Sequence, residues 1–403
     1  MSTSLLYHAF GIRGHRLQKT EYIDGEVHFY VTLKPRHIRC PQCKSRRVKE
    51  REGKYRSLRT VPIGDKPVRV FVWVPRVQCH YCDGKRWVQP PFTQRRLSYT
   101  KKLARLVVDL CRKMTLRDVA DYLSLGWDLV KSIHKKYLNK RFGKPKLRHL
   151  KRIAIDEISI GRNHRYLTVV LDLETGAVVY IGEGKGADAL RPFWTSLGRA
   201  HARLEAVATD MSQAYISAVL ENAGDAKLVF DRFHIVKLFN KRITELRRDL
   251  QREAEEMGKE VLKGIRWLLV KRPENLDKEH DEQKRLHEAL TLNEPLALVY
   301  YMQEEFRRFW DMPDKESAAR FLDGWIKRAK ATDVRVLQKL GRTMEDHRYG
   351  LLAWYDFPIS TGPLEGTNNK IKTLQRQAYG YKDQDYFRLR IFASHEAKYA
   401  LVG

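Results

Sequence analysis

Two Cys-x-x-Cys pairs, a run of three short helical patterns, and three strands followed by helix, strand, helix, strand predict a multidomain α/β chain. The expected parts are a four-cysteine, zinc ribbon-like β-rich module over residues 1–95, a helix-turn-helix over 96–145, and a ribonuclease-H-like domain in two pieces, 150–232 and 358–403. An all-helical insertion over 233–357 separates those two pieces. A length of 403 residues exceeds what one core usually supports, and 15 Phe, 19 Tyr and 8 Trp exclude a disordered chain. No run of 18 uncharged apolar residues occurs, so no transmembrane helix is expected. The opening residues lack the layout of a secretory signal, which makes the cytoplasm the expected compartment.

The charge is unevenly placed. Of 77 Lys+Arg and 49 Asp+Glu, net +28, residues 1–150 hold 35 and 11, and the rest hold 42 and 38. An excess kept for solubility would be shared between the halves. Concentrated in one segment it is the footprint of a polyanion binder, because each neutralised phosphate releases condensed counterions. The basic segment has no long amphipathic helix with a clean apolar face, which argues against a membrane surface.

Cys40-Pro-Gln-Cys43 and Cys79-His-Tyr-Cys82 stand 35 residues apart. Each pair puts two sulfurs in one tight turn, and two turns complete a tetrahedron around zinc, substituting for a core that a small module cannot build. Five cysteines are too few for a disulfide scaffold. Redox thiols and buried free thiols are the other readings of the pairs, and His37 or His80 could replace a sulfur. In the spacer, Val68, Val70, Val72 and Val74 alternate with Arg69, Phe71 and Trp73, so a hairpin is expected to join the two turns. Further strands are expected around Val27–Leu33.

Residues 98–141 predict three helices. Thr115-Leu-Arg-Asp118 is a capping box with Asp in place of Glu, followed by Val119, Ala120 and Leu123 at helical spacing and a break at Leu125-Gly126. The next helix turns Val130, Ile133 and Tyr137 inward, which puts Lys131, Lys135 and Lys136 on a recognition helix for a major groove. Arg95 and Arg96 add to the expected DNA-facing set, and Cys111 is expected to pack inside the first helix.

Beyond the linker at Phe142–Lys146, Asp156 sits in the middle of an apolar strand and Asp210 at the carboxyl end of another, Ala206–Asp210. Parallel pairing of these strands would bring the two carboxylates together, where they repel unless cations intervene. Two hard divalent ions about 4 Å apart could activate an attacking oxygen and stabilise the leaving oxygen of a phosphodiester. The candidate third acid is Glu365, in Ser360-Thr-Gly-Pro363-Leu-Glu365-Gly-Thr-Asn-Asn-Lys370-Ile-Lys372, with Thr361 as cap and Pro363 in the first turn. Asp356 and Glu345 are next in line. Glu157 should point to the opposite sheet face and is read as non-catalytic.

The four-cysteine module, the helix-turn-helix, Ala-Ile-Asp156-Glu, Thr-Asp210-Met-Ser-Gln-Ala-Tyr215, Asp231-Arg-Phe-His234, the Glu365 segment and the closing Arg376-Gln-Ala-Tyr379-Gly-Tyr together resemble the bacterial ISL-three insertion-sequence transposases. The resemblance covers essentially the whole chain. It implies a DDE transposase in which Asp156, Asp210 and Glu365 bind two magnesium ions, or manganese in their place, for cleavage and strand transfer. It also implies double-stranded DNA as partner, at terminal inverted repeats and target, bound by a homodimer or higher oligomer in the bacterial nucleoid. Asp231 and His234 are then expected beside the scissile DNA, with a cap and a buried histidine as the plain alternative, and Lys370, Lys372 and Arg376 against the backbone. The helical stretch between Asp231 and Pro358 reads equally as a packing or dimerisation module and as a DNA contact. In it and beside it, Trp267, Trp310, Trp325 and Trp354 are core aromatics or base-stacking platforms. A structure-selective nuclease or resolvase of the same fold, and a DNA-binding regulator with an inactive catalytic domain, remain the competing functions. Strand-transfer products would separate the transposase from both.

Overall fold

A computed structural model of the chain describes residues 5–82, 84–161 and 165–395, with backbone alone at 256–257, so the last eight residues of the expected 358–403 piece lie outside it. The chain forms two compact units, Met1–Gly143 and Lys144–Gly403.

The first unit starts with α1 (Leu5–Phe10) and the hairpin β1 (His15–Ile23) and β2 (Glu26–Leu33). Asp24 and Gly25, both at positive φ, make its two-residue turn. Then come β3 (Val48–Ile63), β4 (Lys66–Cys79) and β5 (Lys85–Trp87). The sheet runs β1-β2-β4-β3 with β5 on β4, and β2 and β4 are parallel. Strand alternation buries Val68, Val70, Val72 and Val74 with Val27, Phe29, Val31, Leu58, Phe10 and Phe92. The opposite face carries half-exposed aromatics, with Tyr30 stacked on Phe71 at 4.8 Å and Tyr55 edge-on to Trp73 at 5.1 Å. The sheet is therefore broader than a ribbon: the expected β3–β4 hairpin is its centre and edge, and β1 and β2 extend it.

Three helices complete this unit, α2 (Lys101–Cys111), α3 (Leu116–Tyr122) and α4 (Trp127–Phe142). Thr115 and Asp118 form the predicted capping box, and Thr100 caps α2 by accepting the Leu103 N–H. Leu103, Val107, Cys111, Val119, Leu123, Val130 and Ile133 form their common core. Arg59 of β3, only 9% exposed, donates to Glu26 Oε1 at 2.9 Å and to the Leu123 and Ser124 carbonyls at 3.3 Å. That side chain fastens the turn between α3 and α4 to the sheet.

The second unit opens with a meander, β6 (Arg152–Ser159), β7 (Tyr166–Asp172) and β8 (Val178–Glu183). α5 (Ala187–Arg199), β9 (Ala206–Thr209), α6 (Gln213–Asn222) and β10 (Lys227–Phe230) follow. The sheet order is β10-β9-β6-β7-β8, with β6–β7–β8 antiparallel and β6, β9 and β10 parallel. The helical stretch holds α7 (Arg232–Glu253), α8 (Glu256–Lys263), α9 (Glu282–Leu292), α10 (Glu294–Arg307), α11 (Lys315–Ala331), α12 (Arg335–Asp346) and α13 (Arg348–Leu352). Phe239, Phe306, Phe309, Trp310 and Trp325 interlock edge-to-face in its core. The last two helices are α14 (Gly362–Gln377) and α15 (Gln384–Phe392).

Candidate active site

Two strands set the acid pair. β6 and β9 run parallel with Ala154 opposite Ala208, which brings Asp156, two residues on, near Asp210 in the turn that follows the last residue of β9, Thr209. Asp156 is half-buried; its Oδ1 accepts the Glu157 N–H at 2.8 Å and its Oδ2 accepts Asn368 Nδ2 at 2.9 Å. Burial pushes its carboxyl above the usual range and the Asp210 charge adds to this, against the Glu157 N–H, His234 and Asn368. Asp210 Oδ1 accepts the Ser212 N–H at 2.9 Å, in the turn after β9.

α14 crosses this strand end with Leu364, Thr367 and Ile371 buried and Asn368 beside them. Glu365 lies in its first turn, exposed, three residues before Asn368 and therefore on a neighbouring stretch of the same helix surface. The Nδ2 of Asn368 is engaged by Asp156, while its Oδ1 is buried with no hydrogen-bond partner. No role follows for Asn368 from the sequence alone, because its partner Asp156 lies 212 residues away. Asp356 and Glu345, the other acids considered, are tied up in ion pairs with Lys315 and Lys330.

Two expectations need correction. Thr361 does not cap α14: its φ of −82° and ψ of 2° are unlike an extended N-cap, and its hydroxyl donates instead to Asp231 Oδ2. Asp231, 2% exposed, therefore makes no side-chain cap on α7, and His234 is only half-buried, close enough for its charge to act on Asp156. Glu157 does face the other side of the sheet, where the Tyr215 hydroxyl donates to it at 3.5 Å. It is nonetheless no remote residue: Asp210 has left the strand for the turn, and after burial its charge is the next cause raising the Glu157 carboxyl, opposed by Lys185. Burial also pushes Tyr215 up to about 12.

In the first unit the β3–β4 pairing sets Val48 opposite Cys79 and brings the cysteine turns together. The four ligand sulfurs of Cys40, Cys43, Cys79 and Cys82 lie within 4.8 Å of one another, with Cys43 and Cys79 at 3.5 Å. A tetrahedral ion with bonds of about 2.3 Å spaces its sulfurs about 3.8 Å apart, so the set fits one. Backbone N–H groups, that of Cys43 first, draw the Cys40 thiol down to about 6. Among the described residues this is the one group of three or more candidate metal ligands with converging atoms, and neither His37 nor His80 belongs to it. The acid site brings Asp156 and Asp210 together with an all-oxygen donor set that suits a hard divalent cation, while Glu365 is exposed on α14.

The basic residues divide. Arg95, Arg96, Lys370, Lys372 and Arg376 are exposed. Lys136 Nζ donates to Gln94 Oε1 at 2.8 Å, Lys131 lies over the Trp127 ring at 5.1 Å, and Lys135 is half-buried on α4. Of the tryptophans, Trp325 and Trp310 are core, Trp354 is half-buried and Trp267 is 68% exposed. Among the described residues no helix is long and apolar enough to cross a membrane.

The strand order, the paired acids and the helix laid across them describe a DDE-type domain, and residues 153–391 match the family DDE_Tnp_ISL3, described as "Transposase". The chain belongs to this family, that of the insertion-sequence DDE transposases. It is 30% identical over 391 residues to the transposase for insertion sequence element IS1001 of Bordetella parapertussis, covering 95% of this chain and 96% of that one. It is 27% identical over 360 residues to the transposase for insertion sequence element IS1557 of Mycobacterium tuberculosis, covering 83% and 80%. Among solved structures it is similar to a chain of the Drosophila P element transposase strand transfer complex, at a TM-score of 0.40 and 10% identity over 76% of this chain and 94% of that one.

Proposed function

We propose that this transposase binds the terminal inverted repeats of its own element through residues 1–145 and cuts and joins DNA at Asp156, Asp210 and Glu365 on a ribonuclease-H-like domain. The observation that carries this is the hydrogen bond from Asn368 to Asp156, which ties the helix bearing Glu365 to the strand bearing the first acid, beside Asp210. When bound, two magnesium ions, or manganese, would activate the attacking oxygen and stabilise the leaving one. The chain's own residues do the rest: the Glu157 N–H and Asn368 orient Asp156, and the Ser212 N–H orients Asp210.

The four-cysteine set holds zinc as a structural ion, and the excess charge of residues 1–150 with the helix-turn-helix of α3 and α4 supports the assignment of repeat binding to the first unit. Two ends must be held at once, so a dimer or larger assembly on DNA follows. The test is excision from a donor plasmid carrying the inverted repeats that flank the gene, wild type against Glu365→Gln. Lost excision with retained end binding is the expected result; full activity would move the third acid elsewhere, and cutting without strand-transfer products would favour a nuclease.

A further inference from the structure

The closing motif Arg376-Gln-Ala-Tyr379-Gly-Tyr takes no part in the acid site, yet it ends the helix that carries Glu365. After the cap residue Ala378, the Tyr379 N–H reaches the Arg376 carbonyl at 3.1 Å and the Gly380 N–H reaches the Gln375 carbonyl at 2.9 Å. That pair of bonds is the Schellman ending, which needs a left-handed residue just after the cap and draws glycine there. Here the position holds Tyr379 at φ +50°, and the glycine comes one residue later at +96°. A bulky side chain in the left-handed region crowds its own backbone. The Tyr379 ring offsets none of this, being 100% exposed. The turn itself is fixed, because Tyr381 stacks on the buried Phe387 at 4.5 Å. Single exposed aromatics are ordinary on a surface, but one held out from a fixed turn in a conformation that suits glycine points to a partner outside the chain.

The helix leading to the turn sets the chemistry of that partner. Glu365, Asn369, Lys372 and Arg376 are exposed at intervals of four, three and four residues, so they form one stripe of α14. Glu365 is the one acid on the helix, and among the described residues neither Lys372 nor Arg376 forms an ion pair. The stripe therefore runs from the proposed third acid past two uncompensated cations to an exposed ring. Cations alone suit any polyanion and a ring alone suits any apolar surface. Together they suit a nucleic-acid strand, whose phosphates meet the cations and whose base faces stack on the ring. At about 1.5 Å per residue Tyr379 stands about 21 Å along from Glu365, the length of about six base steps. We propose that Tyr379 stacks on an unpaired base of the DNA about six nucleotides from the bond being cut, and so holds the strand along α14. This rests on the transposase function proposed above.

The test uses the full chain and DNA carrying the element's own end, either fully paired or mismatched at roughly the fifth to seventh base pairs from the cut. Affinity and thermal unfolding are measured for wild type, Tyr379→Gly and Tyr379→Phe. Removing a ring that stacks on a base weakens binding about 5- to 150-fold. The Gly variant should lose that much on the mismatched DNA and little on the paired DNA, while the Phe variant, which keeps the ring, binds both as wild type does. The Gly variant should also unfold about 2 °C higher, because glycine relieves the left-handed turn. A ring that served only the fold would move stability the other way. Wild-type affinity of the Gly variant for mismatched DNA overturns the proposal, as does a Phe variant as weak as the Gly variant, an equal loss on both DNAs, or a lower unfolding temperature for the Gly variant. Unchanged DNA binding with lost self-association would assign the ring to a second copy instead. A wild-type chain that binds neither DNA overturns the transposase function as well, before any variant is compared.

Discussion

Replacing Asn368 by Ala deletes the side-chain donor that Asp156 Oδ2 has among the described residues and leaves α14 otherwise held, through Thr361 on Asp231 and through Gln375 on the Ile160 carbonyl. A hydrogen bond to a charged group contributes about 1.5–3 kcal/mol. If that energy serves to orient Asp156 for the reaction, its loss slows cleavage roughly 10- to 150-fold. The assay is single-turnover cleavage of end DNA with the variant saturating, alongside DNA affinity and thermal unfolding. Because Asn368 acts through Asp156, affinity and unfolding should stay near wild type while the rate falls. Asn368→Asp, nearly the same shape, sets a second carboxylate against Asp156 and should be slower still. Wild-type cleavage by the Ala variant would refute the positioning argument, and so would a loss of rate matched by an equal loss of folding stability.

Two further outcomes concern the first unit. Cys40→Ala removes one of four converging sulfurs, so bound zinc should fall from one equivalent to near none and repeat binding should be lost, as metal analysis and gel shifts would register. Glu26 offers a pH test. Burial alone would raise its carboxyl, but hydrogen bonds from Arg69 and His28 and the charges of Arg69 and Arg59 hold it below the usual range. A depressed acid adds stability above its unfolded pKa of about 4.3 and loses it as pH falls through the folded value. The unfolding temperature of Glu26→Gln should therefore lie below wild type at pH 7 and converge on it in acid; a constant gap would deny the ion cluster its role.

What the sequence revealed and what it hid follow from the range of each signal. Local signals were legible: the Thr115–Asp118 capping box and the valine alternation of β4 each lie within one element, and the strand-helix order of the second unit is the succession of such signals. Parallel pairing of β6 with β9 followed from that order, and with it the meeting of Asp156 and Asp210. A strand around Val27–Leu33 was expected, but not its hairpin with β1, although Asp24-Gly25 is a strong two-residue turn signal. Arg59 and Asn368 were out of reach for a physical reason. Each acts through partners 33 to 212 residues away, Glu26 and Leu123 for one and Asp156 for the other, and no periodicity records such a contact.

The failed cap at Thr361 shows how a long insertion is tolerated beside a reactive centre. The hydroxyl that would have capped α14 spans 130 residues of sequence to reach Asp231, so the helical stretch leaves and rejoins the α/β core at one buried hydrogen bond. α14 loses little by this. Gly362 N–H reaches Ser360 Oγ, Pro363 has no N–H to satisfy, and the Leu364 and Glu365 N–H groups both reach the Thr361 carbonyl. Closing a loop costs only about 0.6 kcal/mol more for each doubling of its length, so the size of the insertion matters little once its ends are joined. Its ends matter a great deal, because the residues on either side of that bond lead to His234 and Arg232 on α7 and to Glu365 and Asn368 on α14. A change that breaks the Thr361–Asp231 bond should therefore disturb cleavage before it disturbs the fold of either part.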